Sequence, residues 1–381
     1  MTQMPGPVPP PRRVALVHDW LTGMRGGERA LEAICELFPD ATRFALLHVP
    51  ASVSGAIEAR PIRTSFIQWV PGSHRRYRLL LPLFPMAVEQ FDLDDFDLII
   101  STSHCVAKSV VPPGRTPHLC YCFTPMRYAW DQFDAYFGPD RVGPGVTRLF
   151  RWGLSAMARW DVATAGRVSR YVAISQYVAG RIRRYYNRDA SVVYPPVDTA
   201  FFHPSGKPPG AYLLIVSALV PYKRVDLAIR ACALAEAPLR IVGSGPELAR
   251  LRAAAGPSVK FLGALSDEHV RTEYQGAAAV LLPGTEDFGI VPVEAQACGR
   301  PVIALARGGA CETIIDGTTG ILVTEPADTA FAAAIDRVRR SRFDDTVIRQ
   351  HAIRFSRERF HAAFSQQVCQ VMREPTGQVV Q

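Results

Sequence analysis

Short runs of apolar, often β-branched residues alternate with longer stretches of helical periodicity along most of the chain. Strands that are joined through helices lie parallel, so this alternation predicts an α/β fold made of βαβ units. The predicted strands are residues 14–17, 44–49, 98–101, 118–123 and 171–174 in the first half, and 212–216, 239–242, 259–262, 280–282, 301–304 and 321–323 in the second. The clearest early helix is predicted at residues 28–37.

A stretch rich in proline and glycine divides the chain into two halves. Residues 193–198 and 203–210 carry these prolines and glycines, which continue neither a strand nor a helix. A chain of 381 residues is long enough for two cores. The predicted parts are a disordered segment at 1–13, a first domain at 14–205, a second domain at 206–342 and C-terminal helices at 343–381. We expect the C-terminal helices to pack back on the first domain.

The composition narrows the classes of protein to which the chain can belong. Lys and Arg outnumber Asp and Glu by 43 to 35, and the net charge of +8 suits a phosphate-rich ligand without indicating a nucleic-acid binder. No apolar run approaches the roughly 18 residues of a membrane-spanning helix. The proline-rich start lacks the apolar core of a signal peptide. We therefore expect a cytoplasmic protein.

The segment at residues 73–84 combines three arginines with an apolar run. Such a pattern is typical of a helix that lies along an anionic membrane surface. It is equally typical of a solvated helix end that leads into core residues. The sequence leaves both interpretations open.

Residues 281–301 contain the most informative pattern in the chain. A buried strand ends at Leu282, an acidic loop follows, and Pro292 suits the first turn of a helix. The amides after Gly289 would then lie at a helix N-terminus on the carboxyl side of a parallel strand, where phosphates bind. Glu286 and Glu294 flank these amides, and their carboxylates would accept hydrogen bonds from sugar or ribose hydroxyls.

Glu286 and Glu294 form an E-x7-E pattern, and the surrounding EDFGIVPVEAQACGRPVIA resembles the donor-site signature of retaining glycosyltransferases of family 4. The stretches SALVPYKRVDLAI (217–229) and YPPVDTAFF (194–202) resemble other parts of the same family. The resemblance implies the GT-B fold, in which two Rossmann-like domains with parallel sheets face each other across a cleft. It also implies retention of the anomeric configuration, with no metal and no cofactor besides the nucleotide-sugar co-substrate.

The stretches CYCFTPMRYAWD (120–131) and VPYKRVD (220–226) are similar in particular to bacterial O-antigen and exopolysaccharide mannosyltransferases. That similarity implies GDP-mannose as donor and a polyprenyl-diphosphate-linked saccharide as acceptor. A protein of this kind would lie peripherally on the cytoplasmic face of the inner membrane. Two alternatives remain: a UDP-sugar-dependent transferase of the same family, and a catalytically silent relative that serves as a binding subunit.

The resemblance also assigns the donor site. Lys223 follows a strand end, and its ammonium would neutralise the leaving diphosphate. The family carries an Arg five residues earlier, where this chain has Ala218. Arg224 therefore either assists Lys223 or caps the following helix. The predicted donor-binding residues are Gly26, Gly27, Lys223, Arg224, Gly243, Glu286, Asp287, Phe288, Gly289, Ile290 and Glu294.

The acceptor side is less well defined by the sequence. Many relatives place a His at the end of the strand 118–123, where this chain has Phe123, and His104 is a candidate to fill a comparable place. A lone loop His can equally be structural. Asp19 either binds acceptor or hydrogen-bonds a turn. The predicted catalytic residues are Glu286, Lys223 and His104, and the predicted acceptor-binding residues are Asp19, Arg127, Tyr128 and Asp131. The last three could also simply pack within a short helix.

Two patterns that could suggest a metal do not fit one. The D-x-D within residues 92–97 precedes a strand, and the amino edge of a parallel sheet faces away from the ligand crevice. Cys120 and Cys122 have no second pair at zinc spacing. We expect no metal site, and we expect all eight cysteines to be buried thiols.

Overall fold

The computed structural model describes residues 11–126, 130 and 144–373, and these form two compact units. The first unit contains the residues up to 194 together with those from 360 onward, and the second contains residues 195–359. The chain thus enters the second unit at the start of the proline-rich stretch, ahead of the predicted boundary at 205. The amides of Arg12 and Arg13 both donate to the carboxylate of Asp97, at 3.1 and 3.0 Å.

The first unit is built on a parallel sheet of seven strands with the order β3-β2-β1-β4-β5-β6-β7. Its strands are β1 (Val14–His18), β2 (Thr42–Ala45), β3 (Ile62–Thr64), β4 (Leu98–Ser103), β5 (His118–Cys122), β6 (Arg170–Ala173) and β7 (Ala190–Val192). Four of the five predicted strands of this half are confirmed, and the one predicted at 44–49 is displaced, because β2 begins at Thr42 and ends at Ala45. The two that the sequence missed, β3 and β7, are three-residue edge strands with too few residues to show a period.

The second unit is built on a parallel sheet of six strands with the order β10-β9-β8-β11-β12-β13. Its strands are β8 (Leu213–Val216), β9 (Leu239–Val242), β10 (Val259–Gly263), β11 (Ala279–Leu282), β12 (Val302–Leu305) and β13 (Gly320–Val323). All six predicted strands are present. β11 and β12 are buried over their whole length, because helices cover both faces of such a sheet.

Helices join the strands in both units. In the first unit they are α1 (Gly26–Leu37), α2 (Gly55–Glu58), α3 (Ser73–Arg76), α4 (Phe84–Glu89), α5 (Pro144–Ala163) and α6 (Gln176–Tyr186), and in the second α7 (Val225–Leu234), α8 (Leu248–Ala254), α9 (Asp267–Gly276), α10 (Ile290–Ala297), α11 (Ala310–Thr313), α12 (Asp328–Arg340) and α13 (Asp345–Ile353). The last helix, α14 (Arg357–Arg373), places Phe360 and Phe364 against the ring of Tyr121 in the first unit. Short 3₁₀ turns lie at Phe66–Trp69, Tyr77–Leu83, Ala107–Ser109, Ala165–Arg167 and Pro221–Lys223.

One sequence expectation needs correction. All eight cysteines are free thiols, but Cys311 and Cys369 are exposed rather than buried. Both lie in helices, where only the face that meets the core is covered.

The segment at residues 73–84 is divided between the two interpretations that the sequence left open. Tyr77 and Leu81 are buried in the core of the first unit, as a helix leading into the core predicts. Leu79 and Leu83 are exposed instead, to 70% and 38%. One face of the segment therefore anchors it, and the other presents apolar side chains to the surroundings.

Candidate functional site

The loops that follow β8, β9, β11 and β12 meet at the carboxyl edge of the second sheet. Their backbones approach each other so closely that glycine is needed at the contacts. A Cβ on Gly243 would lie 1.9 Å from the carbonyl oxygen of Ser217, and one on Gly284 would lie 2.6 Å from that of Tyr222. Gly243 also has a φ of +134°, which side chains with a Cβ rarely adopt. The predicted donor residue Gly243 thus shapes this edge through its backbone.

Lys223 and Glu286 form an ion pair at this edge of the sheet. Lys223 ends the 3₁₀ turn after β8, and Glu286 lies in the loop after β11. Their side chains are only 18% and 14% exposed, so water screens the two charges poorly. Two residues that lie 63 positions apart in the sequence are therefore brought into direct contact. Each member of the pair could instead bind a ligand, the ammonium a negatively charged group and the carboxylate a hydroxyl group.

The N-terminus of α10 opens beside Glu286. Gly289 is the N-cap residue with a φ of 90°, and a Cβ there would lie 3.7 Å from the Cβ of Glu286. The first amides of a helix have no partner within it, so those of Ile290 and Val291 are available to an anion. Pro292 follows, and it has no N–H to satisfy. The sequence prediction of an amide site after Gly289 agrees with this geometry.

Glu294 lies in α10 and is 8% exposed. The hydroxyl of Tyr274, in α9, donates to its Oε2 at 2.9 Å. A buried carboxylate keeps its charge only when donors surround it, and Tyr274 supplies one of them. The sequence predicted Glu294 as a donor-binding residue. It missed the contact with Tyr274, because nothing in the spacing of the two residues links them.

The remaining predicted donor residues take different positions. Asp287 and Phe288 are buried, at 6% and 2% exposed, and the ring of Phe288 packs edge-on against Phe355 at 5.6 Å. Arg224 is the N-cap residue of α7, and its side chain lies 3.5 Å from Asp226. The Arg224 side chain makes no capping hydrogen bond to α7, and its assistance of Lys223 stays a prediction.

In the first unit, Gly26 and Gly27 begin α1 directly after the loop that follows β1, as predicted. A Cβ on Gly27 would lie 3.3 Å from the ring of Phe123 and 3.7 Å from that of His18. The carboxylate of Glu28 accepts a hydrogen bond from the amide of Arg25 at 3.1 Å. Phe123 thus packs against the glycine loop of the first unit.

Asp19 is fully buried at the end of β1. Its carboxylate accepts hydrogen bonds from four successive amides, those of residues 104–107, at 2.7 to 3.0 Å. Of the two roles that the sequence allowed for Asp19, the structure shows the hydrogen-bonded turn. The same carboxylate lies 3.0 Å from Nδ1 of His104, whose side chain is 30% exposed. His104 therefore stands at the carboxyl edge of the first sheet with its ring tied to Asp19.

The pKa of Asp19 is lowered from 3.8 to about 2. Burial acts to raise this pKa. The charge and the hydrogen bonds of His104, together with the charge of His18, lower it by more than burial raises it. Because the folded pKa lies below the unfolded one, the carboxylate stabilises the fold above about pH 4. That contribution is lost as the pH falls through about 2.

The other predicted acceptor residues, Arg127, Tyr128 and Asp131, lie outside the residues that the structure describes. The D-x-D segment lies at the amino edge of the first sheet, where Asp97 binds the amides that precede β1. Within the described ranges, no group of three or more His, Cys, Asp or Glu side chains could hold a metal ion. No helix in this part of the chain is long and apolar enough to cross a membrane.

The chain matches two protein-family models that follow one another. Residues 25–201 match the model "Glycosyltransferase Family 4", and residues 198–355 match "Glycosyl transferases group 1". Together the two models span residues 25–355, which leaves out the C-terminal part of the first unit from residue 360. Each half of the chain therefore matches a glycosyltransferase domain family, and the chain has the GT-B fold of two Rossmann-like units.

Among curated proteins, the chain is 33% identical to D-inositol 3-phosphate glycosyltransferase 2 of Catenulispora acidiphila over an alignment of 224 residues, and the match covers 49% of this chain and 52% of that protein. It is 35% identical to the D-inositol 3-phosphate glycosyltransferase of Mycobacterium bovis over an alignment of 171 residues, and the match covers 39% of this chain and 36% of that protein. The matched region thus spans about half or less of these relatives.

Solved structures share the fold over nearly the whole chain. Anabaena HepE in complex with UDP superposes with a TM-score of 0.70 at 19% identity, covering 94% of this chain and 100% of that one. Sucrose-phosphate synthase from Thermosynechococcus elongatus gives a TM-score of 0.66 at 17% identity, covering 94% and 99%. At these identities the likeness concerns the fold alone.

Proposed function

We propose that the protein transfers a hexose from a nucleoside-diphosphate sugar to a saccharide acceptor, with retention of anomeric configuration. The observation that carries this proposal is the pairing of Lys223 with Glu286 beside the N-terminus of α10. A cation, free helix amides and a carboxylate lie at one sheet edge. The cation and the amides suit the negatively charged diphosphate of such a donor, and the carboxylate suits the hydroxyls of its sugar.

The diphosphate would take the place of Glu286 as the partner of Lys223. The ammonium and the amides at the N-terminus of α10 would then stabilise the charge that develops as the nucleoside diphosphate leaves. Glu286, released from the ion pair, would accept hydrogen bonds from hydroxyls of the transferred hexose. Glu294 would do the same for the ribose hydroxyls, with Tyr274 holding its carboxylate.

The reaction is proposed as a front-face displacement. The bond between the anomeric carbon and the phosphate oxygen breaks while the acceptor oxygen bonds to the same face of that carbon. The acceptor proton passes to the leaving phosphate oxygen, so no protein base has to hold it. The protein contributes charge stabilisation and positioning, through Lys223, the amides and Glu286.

GDP-mannose is the proposed donor, on the resemblance of residues 120–131 and 220–226 to mannosyltransferases. A UDP-sugar is the second candidate, because HepE, which shares the fold, was solved in complex with UDP and with UDP-glucose. The two candidates differ in the base and the sugar and share the diphosphate chemistry. The same residues around Lys223 would serve either donor.

A thermal-shift panel tests donor binding, since a ligand that binds only the folded protein raises its melting temperature. GDP, GDP-mannose, UDP, UDP-glucose and ADP-glucose would be compared with NAD as the unrelated control. We expect GDP and GDP-mannose to raise the melting temperature selectively. A response to UDP compounds alone would replace the donor and keep the mechanism. No response to any sugar nucleotide would contradict the proposal and favour a silent binding subunit.

The proposed acceptor is a polyprenyl-diphosphate-linked saccharide, reached by peripheral contact with the cytoplasmic face of the inner membrane through residues 73–84. Support comes from side-chain exposure around this segment. Trp69 is 83% exposed, and Leu79 and Met86 are exposed to 70% and 50%. Exposed basic side chains lie in the same segment, namely His74, Arg75, Arg76 and Arg78. Apolar side chains next to arginines fit the boundary between anionic headgroups and lipid tails.

Exchanging this apolar surface for polar residues is expected to weaken vesicle binding. The variant Trp69→Ser/Leu79→Ser should lower the fraction bound to vesicles of phosphatidylglycerol and phosphatidylcholine roughly tenfold, measured by co-sedimentation. Leu234→Ser is the matched control, because Leu234 is 58% exposed in the other unit and should leave binding unchanged. Equal binding by the wild type and the double variant would contradict the membrane contact.

A further inference from the structure

Asp19 and His104 form a pair that donor chemistry does not explain. Both oxygens of the Asp19 carboxylate are already occupied by backbone amides, so this residue has no surface left for a substrate. Its Oδ2 accepts from the amide of His104 at 2.7 Å and lies 3.0 Å from Nδ1 of the same residue. One buried carboxylate therefore fixes both the backbone and the ring of His104.

Three further rings hold the imidazole in place. The ring of Trp20 meets it edge-on with centroids 4.5 Å apart, and those of His18 and Phe123 lie 6.2 and 6.4 Å away. Trp20 is buried in the core, so it is a rigid support. One edge of the imidazole is therefore hydrogen-bonded to Asp19, and other rings pack against it. The His104 side chain still remains 30% exposed.

The contact with Asp19 decides which ring nitrogen carries the proton. A carboxylate only accepts, so Nδ1 must donate to it, and in the neutral ring Nε2 then holds a lone pair. Within the described residues, Nε2 of His104 has no hydrogen-bond partner. The titratable groups that face this ring are Asp19 and His18 from β1 and its loop, and Glu28 from α1. Asp19 is the one in direct contact.

We propose that Asp19 is a positioning residue that presents Nε2 of His104 as a hydrogen-bond acceptor to a hydroxyl of the saccharide acceptor. This inference rests on the proposed function and adds to it the group that recognises the acceptor hydroxyl. Phe123, whose ring centroid lies 6.4 Å from that of His104, has a side chain without a polar atom. His104, whose ring lies beside Phe123, supplies the polar atom from the neighbouring strand end.

Kinetics with the full chain test the role of His104. His104→Phe keeps a ring against Trp20 and removes both nitrogens, so kcat/KM for the acceptor should fall roughly 10- to 100-fold. The Kd of the donor should stay within about twofold, because Lys223, Glu286 and Glu294, to which the diphosphate, the hexose and the ribose are assigned, lie in the second unit. His203→Phe, at an exposed position in the second unit, is the matched control and should not change either constant.

The variant Asp19→Asn tests the positioning role directly. An amide side chain can donate as well as accept, so Nδ1 of His104 is no longer required to carry the proton. We expect kcat/KM for the acceptor to fall while the Kd of the donor stays within about twofold. An Asp19→Asn variant with the wild-type kcat/KM for the acceptor would overturn the proposal.

Nitrogen-15 NMR of the histidine side chains tests the pair without turnover. His104 should show the tautomer with the proton on Nδ1, with its signals identified by their absence from His104→Phe. A proton on Nε2 of the neutral ring would overturn the assignment, even if Asp19→Asn proves too unstable to purify. A wild type that transfers no sugar would count against the proposed function, and the tautomer would still decide about the pair.

Discussion

The variant Lys223→Ala should lower kcat/KM for the donor by about 10³ or more. Two effects combine in this variant. The leaving diphosphate loses the ammonium that neutralises it, and the carboxylate of Glu286, 14% exposed, is left without its partner and repels the incoming phosphates. The measurement is steady-state transfer over a range of donor concentrations, with circular dichroism to verify the fold.

Two further variants show whether the loss in Lys223→Ala comes from the charge at this position. Lys260→Ala, at an exposed lysine in β10 of the same unit, removes the same charge from the surface and should keep wild-type activity. Lys223→Arg keeps the charge with a different shape and should recover part of the loss. Near wild-type turnover by Lys223→Ala would rule out the assigned role.

The second large effect is expected from Gly243→Ala. The new Cβ would lie 1.9 Å from the carbonyl oxygen of Ser217, and the φ of +134° disfavours any side chain. The backbones after β8 and β9 must then separate, which should lower the free energy of unfolding by roughly 3 kcal/mol. Urea unfolding measures this loss, and donor binding should weaken together with stability.

Gly256→Ala is the control for the second prediction. No atom lies within 4 Å of the position that a Cβ on Gly256 would occupy. Its φ is not in the positive region, so alanine fits there without strain. The free energy of unfolding should stay within about 0.5 kcal/mol of the wild type. A Gly243→Ala variant as stable as Gly256→Ala would show that the two loops are not closely packed.

Much of the fold could be predicted because local patterns determine it. The sequence predicted five of the seven strands of the first sheet and all six of the second. These strands are apolar runs that are buried on both faces, and such runs are visible in the sequence. The edge strands β3 and β7 were missed because three residues are too few for a period.

The candidate site could be predicted where a motif carried it. Glu286, Glu294 and the amides after Gly289 lie within one segment, so their proximity follows from a single strand and helix. The partner of Glu294 could not be predicted, because Tyr274 reaches it from another helix. Asp19 and His104 meet only because β1 and β4 are neighbours in the sheet, 85 residues apart in the chain.

The burial of the eight cysteines could also be predicted only in part. Cys120 and Cys122 are buried as the strand pattern predicts, since β5 is covered on both faces. Cys311 and Cys369 are exposed because their helices are covered on one face only. A residue type that favours the interior does not determine which face of a helix it occupies.

The central claim is that this chain moves a hexose from a nucleoside-diphosphate sugar with retention. The most direct measurement incubates the protein with GDP-mannose and a lipid-linked saccharide acceptor, then follows the products by mass spectrometry and NMR. We predict an acceptor that has gained one hexose, an equal amount of released GDP, and the anomeric configuration of the donor. A product of inverted configuration would contradict the mechanism, and no product with GDP- or UDP-sugars would contradict the assignment of a transferase.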